Sequence, residues 1–549
     1  MLRSLARYLS GMQKPGSSLA NHSGPWRSER PVYVDRLPPC NQACPAGENI
    51  QAWLSHAESG DYLRAWSTLV MDNPLPAVVG RVCYHPCEQA CNRGQLDEAV
   101  GIHAVERFLG DEAIHRGWQF PAPAPSTGKR VLIVGAGPSG LSAAYQLKRA
   151  GHDVSIWEGG PMPGGMLRFG IPKYRLPRDI LDAEIARIEA LGVEIRLNAK
   201  VDDLAEGMRS GGFDAAFLAV GAHLAKRTSI PAADASRILD ALSVLRGMEL
   251  DEKPLLGRRV LVYGGGNTAL DVARTAKRLG ATDSLIIYRR TREKMPAHDF
   301  EVQEALDEGI RIKWLSTIKE AAENSFVVEK MKLDETGFPQ PTGEFERIEA
   351  DSLVLALGQE VDLRFLQNVA GLAIVDGVVK VDAQMMTGCP GVFAGGDMVP
   401  CERTVTVAIG HGKKAARNID AWLRGRIYTP PLKHSIATFD RLSRWYYTDA
   451  PKTVQPQLDL ARRQSTFDEV IGGLDESNAL FEARRCLSCG NCFECDKCFD
   501  VCPDNAVIKL GAGQRYRFNY DSCEGCSLCA EECPCGAIEM VPEPKPAQV

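Results

Sequence analysis

The clearest folding pattern in this sequence lies at residues 130–158, which read RVLIVGAGPSGLSAAYQLKRAGHDVSIWE. A strand-length apolar run leads into the loop GAGPSG, and apolar residues then recur at helical spacing. The first glycine allows a tight turn, the second lets backbone approach a pyrophosphate, and the third lets the helix pack on the strand. A second strand then ends at an acid that can bind a ribose. The stretch predicts dinucleotide contacts at Gly135, Gly137, Pro138, Ser139, Gly140 and Glu158.

A second glycine cluster, GGPMPGG at residues 159–165, directly follows this acid. An ordinary glycine-rich turn is the alternative, but a second cluster suits backbone that lies close to a long ligand, which favours FAD. FAD is expected to contact Gly165 and Leu167 as well. Further along the chain, GVFAGGD at 391–397 ends a buried strand, and we expect Gly396 and Asp397 there to bind FAD, with Asp397 at the ribityl chain. The helix that follows, from about residue 404 to 419, should point its N-terminus at the isoalloxazine ring.

The composition limits the class of protein. A chain of 549 residues should hold several domains. The net charge of −6, with both signs mixed, gives no footprint for nucleic acid, and no uncharged run is suited to a membrane span. The 18 cysteines fall in groups with metal-ligand spacings, which indicates a reducing, cytoplasmic location and metal sites rather than disulfides.

A second nucleotide-binding fold begins at Arg259. The strand 260–263 leads into GGGNTA and a helix, and NAD(P)(H) contacts are expected at Gly264, Gly266, Asn267 and Thr268. The next strand ends in Arg289 and Arg290 where the first fold has an acid, and arginines can bind a 2′-phosphate. The pattern therefore favours NADPH over NADH, the alternative being a solvated basic loop. Residues 253–356 contain no cysteine, which excludes a dithiol relay in this domain.

The C-terminal region contains two full copies of the bacterial ferredoxin cysteine run, each closed by Cys-Pro. The fourth cysteine of each run ligates the other run's cluster, whereas zinc, the alternative, would not need the Cys-Pro pairs. Two [4Fe-4S] clusters are therefore expected. Site 3 comprises Cys492, Cys495, Cys498 and Cys533, and site 4 comprises Cys523, Cys526, Cys529 and Cys502.

Five segments together resemble the small subunit of glutamate synthase and its flavoprotein relatives. They are CNQACPAGENIQAW at 40–53, NPLP at 73–76, GRVC at 80–83, GGMLRFGIP at 164–172 and GGGNTALD at 264–271. The resemblance implies a helical domain with two [4Fe-4S] clusters, followed by FAD and NADPH domains. It covers about residues 31–430.

One segment of the family pattern is displaced in this chain. The Cys-x-x-Cys that the family carries just before the position of Cys40 is absent, and TFDEVIGGLDESNALFEARRCLSC at 466–489 resembles that missing segment. The resemblance implies site 1, which comprises Cys40, Cys91, Cys486 and Cys489, and site 2, which comprises Cys44, Cys83, Cys87 and Glu106. Alternatively, Cys486 and Cys489 are spare and the N-terminal domain holds one cluster. Cys389, Cys401 and Cys535 remain, most simply as buried small apolar residues.

The predicted fold class is α/β. Two Rossmann-like, disulfide-reductase-like nucleotide domains are flanked by an N-terminal α-helical iron–sulfur domain and a C-terminal bacterial-ferredoxin-like α+β domain. The predicted regions are a flexible arm (1–30), a helical iron–sulfur domain (31–120), the first segment of the FAD domain (126–252), the NAD(P)H domain (253–356), the second segment of the FAD domain (357–430), a linker with the relocated segment (431–485) and the ferredoxin domain (486–549).

These regions predict an NAD(P)H-linked flavin and iron–sulfur electron-transfer subunit. A flavin between a two-electron nicotinamide and one-electron clusters converts one kind of transfer into the other, so no catalytic side chain is needed. The C-terminal segment resembles the ferredoxin-like subunit of 2-oxoacid:ferredoxin oxidoreductases, and the favoured partner is a catalytic subunit of that type. One alternative is a subunit of a glutamate-synthase-like or pyrimidine-reducing complex. Another is a wiring subunit, which passes electrons between other proteins without nucleotide turnover. Soluble ferredoxin is an alternative partner.

Overall fold

The computed structural model of the chain describes residues 26–226, 228, 230–231 and 237–544. The predicted N-terminal arm lies almost entirely outside the described residues. Its end belongs to the strand Glu29–Tyr33, which pairs antiparallel with the strand Ile538–Pro542 near the end of the described chain.

The predicted α/β fold class is confirmed. The first sheet has five parallel strands, and the opening stretch of the sequence supplies its centre and a neighbour. In spatial order the strands are Val392–Ala394, Ala215–Leu218, Arg130–Val134, Asp153–Trp157 and Glu194–Arg196. The apolar run that predicted a strand is buried, as a parallel sheet covered on both faces requires.

The second parallel sheet belongs to the nucleotide domain. Its strands, in spatial order, are Arg311–Lys313, Asp283–Ile287, Arg259–Tyr263, Ser352–Leu355 and Ile238–Asp240. The last of these precedes the predicted start at residue 253, so that boundary was wrong. The strand is three residues long and sits at the sheet edge, so it has no extended apolar run to mark it.

An antiparallel sheet and a pair of two-residue strands complete this domain. A three-stranded sheet covers one side, with strands Ser316–Ala321, Ser325–Leu333 and Pro339–Glu349. The chain enters and leaves the domain through Leu224–Ala225 and Gln359–Glu360, which pair with each other. A hairpin, Ile374–Val375 with Val378–Val379, lies in the returning FAD segment. The nucleotide domain is therefore inserted in the FAD domain.

Helices cover both sheets. Those of the FAD domain are Pro138–Arg149, Met166–Phe169, Arg178–Glu189, Leu204–Gly211 and Val405–Leu423. Those of the nucleotide domain are Ala241–Glu249, Asn267–Arg278 and Asp299–Asp307. Three-residue 3₁₀ turns occur at Arg292–Lys294, Arg364–Leu366 and Gly396–Met398.

The N-terminal domain is helical, as predicted from its amphipathic pattern. Its helices are Pro39–Ala43, Ile50–Glu58, Tyr62–Leu69, Pro76–Val82, Pro86–Gln89 and Ile102–His115, with a 3₁₀ turn at Asn92–Gln95. Two glycines bring two of these helices together. A Cβ at Gly80 would lie 2.5 Å from Arg107 N, and one at Gly110 would lie 2.3 Å from Ala77 N. This close packing carries Cys83, at the end of one helix, towards Glu106 on the other.

The C-terminal region holds the ferredoxin-like domain and the segment that precedes it. Its helices are Leu460–Ser465, Glu476–Arg484, Lys497–Asp500 and Leu528–Glu531, with 3₁₀ turns at Phe439–Arg441 and Arg444–Tyr446. The strands Val507–Lys509 and Tyr516–Phe518 form an antiparallel pair. The helix Glu476–Arg484 packs against Ile50–Glu58 and Ile102–His115 of the N-terminal domain. None of the helices in the described ranges is both long and apolar enough to cross a bilayer.

Candidate functional site

A cavity of about 510 Å³ opens at the carboxyl ends of the first sheet's strands, where parallel α/β folds bind ligands. The predicted FAD residues that line it are Gly135, Gly137, Pro138, Ser139, Glu158, Gly165, Gly396 and Asp397. Gly140 and Leu167 lie elsewhere. A Cβ at Gly140 would come within 2.0 Å of Gly135 O, so this glycine serves helix packing, and Leu167 is fully buried.

The loop at the cavity fits a dinucleotide. A Cβ built on Gly137 meets nothing within 4 Å, which leaves space beside the backbone at the start of the helix Pro138–Arg149. The Ser139 hydroxyl is buried and has no hydrogen-bond partner in the described chain. An unpartnered buried donor at a helix N-terminus suits a phosphate oxygen. The Glu158 carboxylate accepts hydrogen bonds from Ala136 N (2.8 Å) and Gly160 N (2.7 Å), which fixes it at the cavity wall.

The helix Val405–Leu423 reaches the same cavity with its N-terminal turn, where Ala408 belongs to the lining. The Thr404 side chain caps this helix by accepting a hydrogen bond from Val407 N (3.2 Å). Burial raises the pKa of Asp397 at the strand end, and the Arg403 guanidinium opposes that shift. The positive end of a helix dipole and a carboxylate therefore both lie in this region of the cavity.

Sequence reasoning missed other residues of the cavity wall. Three of them are cations from separate segments of the chain: Lys200, Arg246 and Arg364. They suit a ligand that carries phosphates. They lie in loops and on a helix face outside any recognisable spacing, so the sequence offered no signal for them.

The second glycine loop has the same form as the first. A Cβ at Gly264 would lie 2.2 Å from Ala356 O, whereas one at Gly266 meets nothing. The Asn267 side chain donates to the Tyr84 hydroxyl (2.6 Å) and accepts from His298 N (3.1 Å). Asn267 therefore ties this loop to the N-terminal domain, a role that the sequence did not reveal.

Thr268 and the two arginines lie where the sequence pattern predicted. The Thr268 hydroxyl is 3.4 Å from Gln359 Nε2. Arg289 is exposed and Arg290 is partly buried just beyond the strand Asp283–Ile287, and the Arg290 Nε is a buried donor without a partner in the described residues. Free guanidinium donors at this strand end suit a phosphate-bearing nucleotide.

The cysteines of site 1 line one cavity although they come from opposite ends of the chain. Cys40, Cys91, Cys486 and Cys489 share that lining. Burial, followed by the neighbouring thiols of Cys486, Cys91 and Cys489, raises the pKa of the Cys40 thiol well above its usual value. Thiols buried in this way become thiolates when a cation binds, and iron supplies that positive charge.

Hydrogen bonds fasten the relocated segment to the N-terminal domain. Glu482 accepts from Gly101 N (2.6 Å), and Arg485 donates to Glu98 O (2.6 Å). Asn92 donates from Nδ2 to the Sγ of Cys489 (3.4 Å). The segment thus contributes to the N-terminal domain from the far end of the chain.

The residues of site 2 also meet. Burial raises the pKa of Cys44, Cys83 and Cys87, and the carboxyl group of Glu106 adds to the shift in each. Burial, with the nearby Glu48 adding to it, raises the pKa of Glu106 itself. The Asn73 side chain donates to both carboxyl groups, at 2.8 Å for Glu106 and 3.0 Å for Glu48. Glu106 is therefore a buried acid among three thiols rather than a solvated helix residue.

Sites 3 and 4 each gather the residues of both ferredoxin runs. Burial raises the pKa of Cys498, and the thiols of Cys492, Cys533 and Cys495 add to this while Tyr33 opposes it. Site 4 surrounds a small cavity lined by Cys502, Cys523, Cys526 and Cys529. The exchange of the fourth cysteine between runs agrees with this geometry.

The remaining cysteines and histidines lie outside these ligand sets. Cys535 is buried with its Sγ 3.7 Å from that of Cys533, while Cys389 and Cys401 are only partly buried. His103 has both ring nitrogens engaged, with Glu88 at 2.6 Å and Gln455 at 2.9 Å.

Two nucleotide sheets with glycine loops, joined to two cysteine-rich domains, define an NAD(P)H-dependent flavin and iron–sulfur oxidoreductase. The pyridine nucleotide-disulphide oxidoreductase family matches residues 129–412. A 4Fe-4S family described as dihydropyrimidine dehydrogenase domain II matches residues 28–118, and a 4Fe-4S dicluster domain matches residues 491–537. The chain belongs to the pyridine nucleotide-disulphide oxidoreductase family.

Curated relatives extend the likeness over most of the chain. The beta subunit of an NADP(+)-dependent formate dehydrogenase from Moorella thermoacetica is 38% identical over 509 residues, 82% of this chain and 70% of that protein. The beta subunit of an NADPH-Fe(3+) oxidoreductase from Geobacter sulfurreducens is 33% identical over 535 residues, 88% of this chain and 78% of that protein. The NADPH glutamate synthase small chain of Escherichia coli is 31% identical over 423 residues, 70% of this chain and 89% of that protein.

The resemblance to the glutamate synthase small subunit is thereby confirmed. The resemblance of the C-terminal segment to 2-oxoacid:ferredoxin oxidoreductases stays a prediction.

Proposed function

We propose that this chain is the NADP(H)-linked electron-transfer subunit of a larger oxidoreductase. Its inserted domain would bind the nicotinamide nucleotide through the Gly264–Gly266 loop, with Arg289 and Arg290 at the 2′-phosphate. Its first nucleotide domain would hold FAD, which supplies the conversion between hydride transfer and single-electron transfer. Sites 1 to 4 would each hold one [4Fe-4S] cluster, with Glu106 as the non-cysteine ligand of site 2.

The observation that carries this proposal is the continuity from the FAD cavity to the ferredoxin domain. Cys83 of site 2 lies with its Sγ 3.8 Å from Thr406 Oγ1, in the first turn of the helix that enters the FAD cavity. A Cβ on Gly410 of the same helix would lie 2.1 Å from Pro45 O, so the backbone after Cys44 is also packed against it. Site 2 is therefore the cysteine site beside the flavin.

The path continues through the two ends of the chain. Helix Pro39–Ala43 carries Cys40 of site 1 and ends immediately before Cys44 of site 2. Cys489 of site 1 is followed after two residues by Cys492 of site 3, and sites 3 and 4 share the crossed ferredoxin runs. We infer the order FAD, site 2, site 1, site 3 and site 4. Cys526 of site 4 is exposed, which makes site 4 the exit towards a partner.

The carbon chemistry is proposed to take place on a separate catalytic subunit. The formate dehydrogenase relative, which matches 82% of this chain, supports a formate-oxidising partner. The ferredoxin-like segment, with VCPDNAV and NYDSCEGCSLCAEECP, supports the 2-oxoacid-oxidising partner that the sequence favoured.

Two measurements test the proposal. The purified full-length chain should reduce a one-electron dye with NADPH, and the Cys523→Ser variant should keep its FAD while transferring fewer electrons to the ferredoxin sites. A chain that binds FAD yet oxidises no nicotinamide would instead be a wiring subunit.

Partners that co-purify with the tagged chain should be assayed for NADP(+) reduction with formate and, separately, with a 2-oxoacid and coenzyme A. Activity with neither substrate would contradict both partner assignments.

A further inference from the structure

Tyr33 links the strand at the start of the described chain to a cysteine of the ferredoxin domain. Its hydroxyl lies 3.4 Å from the Sγ of Cys498, a residue 465 positions further along the chain. The strand ladder pairs Tyr33 with Ile538, and the phenol ring stacks on Phe518 with centroids 4.9 Å apart and planes 21° from parallel. Backbone pairing and ring stacking therefore both fix the hydroxyl beside the sulfur.

The direction of this hydrogen bond follows from the chemistry of the ligand. A cysteine that ligates iron is a thiolate and has no proton to give, whereas the phenolic hydroxyl of a tyrosine is a hydrogen-bond donor. Tyr33 must therefore be the donor. A second donor acts on the same site, because the Cys535 thiol lies 3.7 Å from the Sγ of Cys533 and Cys535 does not belong to any ligand set.

Hydrogen bonds to cluster sulfurs change the reduction potential. Reduction adds one negative charge, some of which is carried by the ligand sulfurs, so a donor stabilises the reduced state more than the oxidised state. We propose that Tyr33 is a positioning residue that raises the reduction potential of the cluster at site 3. The inference rests on the proposed function, since it requires site 3 to hold a [4Fe-4S] cluster. Electrons that pass along the proposed path from FAD to site 4 would then reside preferentially at site 3.

The test compares two tyrosines that contact the same strand. Tyr33→Phe keeps the ring and its stacking but removes the donor. Tyr520→Phe is the matched control, because the Tyr520 hydroxyl donates to Pro31 O (2.9 Å) in the strand Glu29–Tyr33. Both full-length variants are purified without oxygen, their iron is counted, and the clusters are titrated electrochemically with detection by electron paramagnetic resonance. The signal of site 3 is the one that Cys492→Ser abolishes.

In Tyr33→Phe the site 3 signal should become harder to reduce, by up to about tenfold in the reduction equilibrium or about 59 mV for one electron. Iron content and the other signals should not change, and Tyr520→Phe should titrate as the wild type does. An unchanged potential in Tyr33→Phe with full iron would overturn the inference, as would an equal shift in Tyr520→Phe, which would assign the effect to the strand.

A second variant keeps the inference testable if Tyr33→Phe loses iron. Cys533 of site 3 also accepts from the backbone amide of Ala537 (3.3 Å), which no substitution of a side chain removes. Cys535→Ala removes the second side-chain donor, at Cys533, and should lower the same potential. If Cys535→Ala leaves it unchanged, donors at these sulfurs do not set the potential and the inference fails. If the wild-type protein shows no signal that depends on Cys492, the cluster assignment itself is wrong and the inference falls with it.

Discussion

Replacing Arg485 with methionine removes the guanidinium that fastens the relocated segment to the N-terminal domain. Arg485 and Glu482 are 2% and 0% exposed, and their ion pair is 2.5 Å long. The same guanidinium donates to the carbonyls of Ala99 (3.1 Å), Glu98 (2.6 Å) and Ala450 (2.9 Å). Methionine would leave the buried Glu482 carboxylate and these partly buried carbonyls without that partner. Breaking a buried ion pair in this way costs about 3–5 kcal/mol.

This loss of stability can be measured by hydrogen exchange where the relocated segment contacts the helices of the N-terminal domain. If local opening of the segment becomes about 3 kcal/mol easier, the Gly101 amide, which Glu482 binds, should exchange its hydrogen more than about a hundredfold faster. Mass spectrometry of hydrogen exchange resolves the peptide that contains Gly101, and iron analysis should show faster loss of about four irons to a chelator.

The controls separate the ion pair from a general loss of stability. Arg484→Met alters the exposed neighbour, which donates to Glu58 O (3.2 Å), and should leave exchange at Gly101 unchanged. Adding Glu482→Gln to Arg485→Met should recover some of the loss, because no charge is then left buried. Exchange and iron retention at wild-type levels in Arg485→Met would refute the idea that this pair holds the segment in place.

Three further variants test the ligand sites. Gly137→Val fills the open space beside the loop, so flavin released on denaturation should fall well below one per chain; full FAD content would contradict the assignment. Arg289→Gln with Arg290→Gln should raise the KM for NADPH far more than that for NADH, since a charge-assisted phosphate contact is worth ~1.5–3 kcal/mol; equal effects would count against it. Cys486→Ser with Cys489→Ser should lose about four of about sixteen irons while the signals of both ferredoxin clusters persist. Retention of all the iron would show that these two cysteines are not ligands of site 1.

Local chemistry made much of the fold predictable. The loop from Gly135 to Gly140 and the ferredoxin runs each encode a turn or a ligand geometry within a few residues, so the pattern alone predicts the element. The edge strand Ile238–Asp240 was missed because three residues carry no periodicity. The relocated segment was found by its likeness to a family sequence, since no local rule connects Cys486 with Cys40.

Contacts between distant segments were beyond sequence reasoning. Neither the hydrogen bond from Tyr33 to Cys498 nor that from Asn267 to Tyr84 leaves a trace in spacing or composition, because each depends on how separate elements are packed. The cations that line the FAD cavity were equally unpredictable, because Lys200, Arg246 and Arg364 come from unrelated segments. Such residues become candidates only when the backbone is known.

The packing of the chain ends also constrains how the protein is assembled. Site 1, as proposed, combines Cys40 and Cys91 from the start of the chain with Cys486 and Cys489 from near its end, and the strand Glu29–Tyr33 pairs with Ile538–Pro542. Contacts of such long sequence separation form late, after the chain between them has folded. During synthesis the N-terminal domain would therefore wait for two of the four proposed ligands of site 1 until Cys486 and Cys489 have been made. The ligands proposed for site 2 all lie within residues 44–106, so site 2 would be filled before site 1. On the proposed order of sites, we expect the cluster next to the FAD cavity to be the first one built.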